Sequence, residues 1–286
     1  GMDHIRLGFD QIVVEEKPTI YREEILNIIN NFVDWCEKYG LNVVLNLHKA
    51  VGNYCDIEEK VQLLDNDELQ NRFIALWEKL EDYFSERKSV AFELLNEVRN
   101  VDPEKWNVLA EKTVTALRRK NKTRKIIIGS TCWNSVNTLD KLKVFDDENV
   151  IYTFHTYEPF SFTHQQGVLQ APTLYYNRKM PYPGDIEIYR DYQKVVSGNE
   201  SAYKNYTVMD RKYIFDSLKP ATDFIKQNPD KIRWCGEFGT IRHCKTEWHE
   251  NWMRDVIAFL KLNGIPYCVW NYLSTPNDGN RFSLVD

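Results

Sequence analysis

The chain predicts a parallel α/β barrel, and three observations carry the prediction. Strand-like apolar runs alternate with helical stripes from one end of its 286 residues to the other. That order is the mark of βαβ units and a parallel sheet. The strands are near-continuously apolar, as in Val43, Val44, Leu45 and Leu47, which fits a sheet covered on both faces. Two of them, Phe92–Asn96 and Arg233–Gly236, run directly into glutamates, Glu97 and Glu237. Charge at the C-terminal end of a buried strand suits a barrel, whose chemistry lies at those ends. A doubly wound sheet would usually open with a glycine-rich phosphate turn after an early strand, and none is present.

His4–Phe9 reads as the first strand. Arg22–Tyr39 carries Ile25, Ile28, Ile29, Phe32, Val33 and Cys36 at helical spacing and stops at Gly40. Asn42–His48 is a strand. Leu69–Phe84 is a helix with Leu69, Phe73, Leu76, Trp77, Leu80 and Phe84 on one stripe. Ser89–Leu95 is a strand, and Pro103–Arg119 a helix with proline in its first turn, where no N–H is needed. Lys125–Gly129 and Val150–His155 are strands. Asp210–Gln227 and Glu247–Asn263 read as helices around the strand Ile232–Glu237, and Pro266–Tyr272 is the seventh and last strand. Between Tyr157 and Asp210 the rhythm breaks into a Tyr-, Pro- and Asn-rich stretch that reads as a long βα loop shaping a substrate cleft.

Composition excludes several classes. The net charge of −5 comes from acids and bases spread along the chain, without the clustered Lys and Arg of a nucleic-acid footprint. No run of 18 apolar residues exists to span a membrane. The six cysteines form no CxxC pair and read mostly as buried free thiols, neither a disulfide framework nor a zinc site. Aromatics at 13% exceed what a core requires; they suit the apolar faces of sugar rings and serve equally well as packing. Gly1 before Met2 reads as a tag scar, and the chain opens directly in a strand with no signal segment.

The strand-end motifs resemble those of glycoside hydrolase family 5, the retaining cellulases and mannanases. Asn96-Glu97 matches the family's Asn-Glu, and Glu237-Phe238-Gly239 its Glu-Phe-Gly. The resemblance implies Glu97 as acid/base, Glu237 as nucleophile, and Asn96 on the sugar 2-hydroxyl. His4-Ile5-Arg6-Leu7 matches the His-x-Arg-Leu segment and would bring Arg6 to the nucleophile. Leu47-His48, His155-Thr156-Tyr157 and Trp270 match the remaining positions, with Trp270 as the platform under the sugar. Trp133, after the fifth family strand, reads equally as a sugar subsite with Asn134 or as packing. Glu93, inside a strand, reads as the partner of a buried arginine. His243 and His249 read as surface residues. Gly8 stands where the family usually has proline.

The implied fold is a TIM-type (β/α)8 barrel lacking the family's first strand and helix and its last helix. Residues 1–286 would form a single catalytic domain, either a seven-stranded open barrel or one completed by a partner chain. The implied activity is retaining, endo-acting hydrolysis of β-1,4-linked glycans, glucan first and mannan next. The alternatives are another β-glycosidase of the family and a non-catalytic carbohydrate-binding remnant. The partner is a polysaccharide or oligosaccharide, with no cofactor, metal, nucleic acid or membrane. Polymeric glycans are met outside cells, so the substrate favours a secreted site of action.

Overall fold

The computed structural model describes residues 2–56, 60–275 and 278–284. The chain divides into two compact units, one of residues 1–154 and 224–234, the other of residues 155–223 and 235–286.

Among the described residues one sheet holds six strands in chain order: β1 (His4–Asp10), β2 (Asn42–Lys49), β3 (Val90–Glu93), β4 (Ile126–Gly129), β5 (Val150–Thr156) and β6 (Ile232–Phe238). β5 and β6 each begin in the first unit and end in the second. The pairings of β1 to β5 are all parallel, running from His4↔Asn42 through Val43↔Val90 and Phe92↔Ile126 to Ile126↔Val150. The α/β class is as the alternation predicts.

In the first unit, three long helices lie where the sequence places them, and the stripe read on the first is only partly buried, with Ile28 turned to solvent. α1 (Glu23–Lys38) buries Leu26, Ile29, Val33 and Cys36. The same helix turns a second apolar stripe to solvent: Ile28, Trp35 and Tyr39 are each more than 60% exposed. α2 (Asp67–Phe84) is capped by Asn66, whose Oδ1 accepts from the backbone N–H groups of Glu68 and Leu69. α3 (Pro103–Lys120) is capped by Asp102 and ends in Arg118, Arg119 and Lys120, cations that complement the helix C-terminus. A buried ion pair joins α2 to the segment that leads into β4. The Arg124 guanidinium meets both carboxylate oxygens of Glu81, the carbonyls of Phe84, Arg87 and Val90, and the face of Phe92.

In the second unit, the stretch after Tyr157 is a packed lobe instead of an open loop. Short helices at Phe160–Thr163 and Ala171–Tyr176 lead to a two-stranded antiparallel ribbon, Gly184–Asp185 with Val208–Met209. The ribbon brackets α4 (Ile186–Ser197), whose N-cap is Asp185. Tyr176, Tyr182, Tyr189 and Tyr192 are buried there, and Tyr203 packs edge-on against Tyr189 and Tyr213. Much of the tyrosine excess is therefore packing.

Two predicted elements are corrected. Asp210–Gln227 is not one helix: it breaks at Leu218 into α5 (Arg211–Ser217) and α6 (Lys219–Gln227). Pro220 has no N–H to give to a helix running through, and its ring would crowd the preceding turn. Pro266–Tyr272 is not a ladder strand. It meets β6 through a single parallel bridge, Cys235↔Tyr267, with bonds from Cys235 N to Pro266 O and from Cys268 N to Cys235 O. α7 (Thr246–Leu262) follows as predicted and buries Trp252, Met253, Val256, Phe259 and Leu260.

The six cysteines are free, as read, but only Cys36 and Cys235 are fully buried. No helix among the described residues is long and apolar enough to cross a membrane.

Candidate active site

In the first unit the polar residues cluster at the C-terminal ends of β2 and β3. Glu93 is fully buried, an impossible place for an unpaired carboxylate. Arg6 neutralises it through a two-pronged pair, Nε to Oε2 at 2.6 Å and Nη2 to Oε1 at 3.0 Å. Glu93 is thus the arginine partner the sequence suggests. The same Nη2 donates to Asn96 Oδ1 at 2.7 Å. With that oxygen engaged, the Asn96 amide offers its NH₂ end, which lies 3.9 Å from Cys55 Sγ.

Glu97 follows, half-buried, with φ of 45°. That is the left-handed region, sparsely used by residues with a side chain and often seen at functional sites. The flanking backbone holds it there. Leu94 N donates to Ile127 O and Asn96 N to Leu47 O, so the chain remains tied to both neighbouring strands after β3 ends. His48, at the end of β2, bonds Asn46 Oδ1 through Nδ1 at 3.0 Å.

Trp133 stands at the end of β4 in a run of three left-handed residues, Cys132 to Asn134. Its backbone N–H donates to Val98 O and its indole N–H to Cys55 O, leaving the side chain 43% exposed. A cavity of about 500 Å³ lies beside it, bordered by Arg99, Asn100, Asp102 and Lys105. An exposed, braced indole beside alternating donors and acceptors favours the subsite reading over packing.

In the second unit, Glu237 ends β6 and is buried. The Tyr157 hydroxyl donates to its Oε2 at 2.8 Å, and His155 Nδ1 stands 3.6 Å from the same oxygen. The residues after Glu237 explain its motif. Trp270 N donates to Phe238 O, and a Cβ on Gly239 would stand 2.2 Å from the Trp270 carbonyl oxygen. Only glycine lets the two backbones approach so closely. Trp270 itself is half-buried, and its peptide to Asn271 is cis.

The profile of the cellulase family, glycosyl hydrolase family 5, matches residues 1–275. The chain belongs to that family. It is 35% identical over 280 residues to Endoglucanase C of Acetivibrio thermocellus, covering 95% of this chain and 80% of that one. Cellodextrinase A of Ruminococcus flavefaciens is 30% identical, with 93% and 73% covered. Among solved structures, the crystal structure of endoglucanase Cel5A from the hyperthermophilic Thermotoga maritima aligns with a TM-score of 0.79 at 25% identity. All of this chain and 81% of that one are covered. The same protein has been solved in complex with mannotriose (TM-score 0.77, 25% identity). The chain is a family 5 glycoside hydrolase with the family's TIM-type α/β fold.

Within this family member, each unit assembles its own share of the predicted residues. The first unit joins Arg6, Asn96 and Glu93, and holds His48, Glu97 and Trp133; the second joins His155, Tyr157 and Glu237, and holds Trp270. His243 is exposed as read, but His249 is half-buried on Thr240 Oγ1 at 2.7 Å, and burial lowers its pKa. A Cβ at Gly8 would make only ordinary contacts with His48 and Asn46. Sequence reasoning missed Thr163 and His164. The signal was a histidine set among Phe160, Phe162 and Thr163, where an imidazole has no solvent to face.

Proposed function

We propose that this family member is an endo-acting, retaining hydrolase of β-1,4-linked glucan, with residues 1–286 working as one catalytic domain. The observation that carries the reading is Glu237: a carboxylate at a strand's C-terminal end, in the family's Glu-Phe-Gly, with a tyrosine hydroxyl on Oε2.

That hydrogen bond stabilises the ionised carboxylate, the form a nucleophile needs. Glu237 attacks the anomeric carbon, and the proton of Glu97 goes to the departing glycosidic oxygen. Glu97, now a carboxylate, takes a proton from the water that hydrolyses the glycosyl-enzyme. Asn96, oriented by Arg6, donates to the sugar 2-hydroxyl. His48 and His155 bind neighbouring hydroxyls, Trp270 underlies the ring, and Trp133 offers a further aromatic face.

Glucan leads because the relatives are named as endoglucanases and a cellodextrinase. Mannan follows, supported by the mannotriose complex of the Thermotoga maritima enzyme. The test is reducing-sugar release from soluble β-glucans and β-mannans by the purified chain and its Glu237→Gln variant. Release from glucan that disappears in a folded variant still able to bind cello-oligosaccharide is expected. Turnover by Glu237→Gln at the wild-type level would remove Glu237 from the mechanism.

A further inference from the structure

His164 is a buried imidazole that the proposed mechanism does not use. It is 5% exposed. Its ring stacks on Phe160, with centroids 3.8 Å apart, and meets Tyr157 and Phe282 edge-on at 5.1 and 5.0 Å. Burial pushes its pKa down to about 3, so the ring is neutral and carries one ring proton.

Counting hydrogens locates that proton. Thr163 Oγ1 lies 2.5 Å from the Tyr157 carbonyl oxygen and 2.9 Å from His164 Nδ1. The carbonyl can only accept, so the single hydroxyl hydrogen goes to it. The second contact then needs a donor, and that donor is Nδ1–H of His164. The relay runs from imidazole to hydroxyl to carbonyl. It ends on the backbone of Tyr157, whose phenol donates to Glu237. Thr163 is fixed in turn: its own carbonyl accepts from Ile241 N at 2.8 Å, four residues beyond Glu237.

We propose that Thr163 and His164 are positioning residues for the glycosidase reaction, holding Tyr157 so that its hydroxyl stays on Oε2 of Glu237. The proposal rests on Glu237 being the nucleophile. Thr163 clamps the Tyr157 backbone, while the edges and faces of His164 and Phe282 confine its ring. A phenol allowed to drift loses a charge-assisted bond whose strength depends on distance and alignment. Nothing in the relay touches substrate, so the effect belongs in kcat.

The test is a double-mutant cycle on soluble β-glucan with Thr163→Val, Tyr157→Phe and the pair, with Thr163→Ser and Glu237→Gln alongside. One lost hydrogen bond predicts a kcat about fivefold lower in Thr163→Val with KM unchanged. Thr163→Ser, which keeps the hydroxyl, stays within about twofold of wild type on the same scale. In the Tyr157→Phe background, Thr163→Val costs nothing further, because the group it positions is gone. An equal fall in both backgrounds, or an unchanged kcat in Thr163→Val, overturns the proposal. If Thr163→Val does not fold, His164→Phe takes its place in the cycle with the same two outcomes. An additive cycle beside an inactive Glu237→Gln overturns positioning alone. Turnover by Glu237→Gln, or none by the wild type, overturns the reading beneath it.

Discussion

A buried imidazole carries a cost that depends on pH. His164 folds neutral, with its pKa lowered from 6.5 to about 3. The unfolded chain binds a proton at this residue below pH 6.5, and the folded chain only near pH 3 and below. Below that pH the unfolded state therefore gains protons, and stability falls as pH falls; above it the residue contributes no slope. Two pH units below the ordinary value, near pH 4.5, the loss is roughly 3 kcal/mol. His164→Phe keeps the stack on Phe160 and removes the titration, so its Tm should fall less steeply than the wild type's between pH 7 and 4.5. Parallel curves would show that His164 is not neutral in the folded protein. The chain accepts this cost, on our reading, to give the Thr163 hydroxyl the donor it lacks.

At the scale of elements, the joints between helices and strands depend on polar clamps as much as on apolar stripes. Arg124 is the clearest: it satisfies the last carbonyls around α2 and the first of β3, with Glu81 as its counter-ion. Both side chains are about 2% exposed. Arg124→Met leaves the buried Glu81 carboxylate without its counter-ion, with only the Asn121 amide still donating to it, and should cost on the order of 3–5 kcal/mol. Glu81→Leu combined with Arg124→Met should cost less than Arg124→Met alone, because no stranded charge remains. Urea unfolding midpoints decide it, and strictly additive losses would mean that the pair is not energetically coupled. This joint was invisible in the sequence, where Arg124 is one of many charged residues. What was legible had a period. The stripes of α1 and α2 and the apolar strands announce themselves by spacing. Glu97 and Glu237 stand out because charge follows an apolar run. The lobe after Tyr157 was not legible, since its tyrosines pack through contacts such as Tyr182 with Asp255 that follow no local repeat. Pro266–Tyr272 failed for the opposite reason: its composition is strand-like, but a single bridge to β6 stands where a ladder was expected.

At the scale of the whole molecule, the parallel arrangement sorts residues by strand end. His48, Glu97, Trp133, Tyr157 and Glu237 lie at or just beyond the C-terminal ends of β2, β3, β4, β5 and β6. Five separate strands thus carry these residues at one kind of position, the strand end at which this fold class places its chemistry. The stereochemical outcome is a property of the assembled enzyme that no single residue determines. An inverting glycosidase needs room for a water between its carboxyls, with a separation of about 6.5–9.5 Å; a retaining one needs about 5–5.5 Å and forms a covalent intermediate. The proposal that Glu237 is the nucleophile requires the second geometry. The first product formed from a β-linked cello-oligosaccharide should therefore be the β-anomer, with the α-anomer growing in only by mutarotation. Proton NMR of the anomeric region in the first minutes of hydrolysis reads this directly. An α-anomer appearing first would mean that water, not Glu237, attacks the sugar, and Glu237 would then have to act as a base.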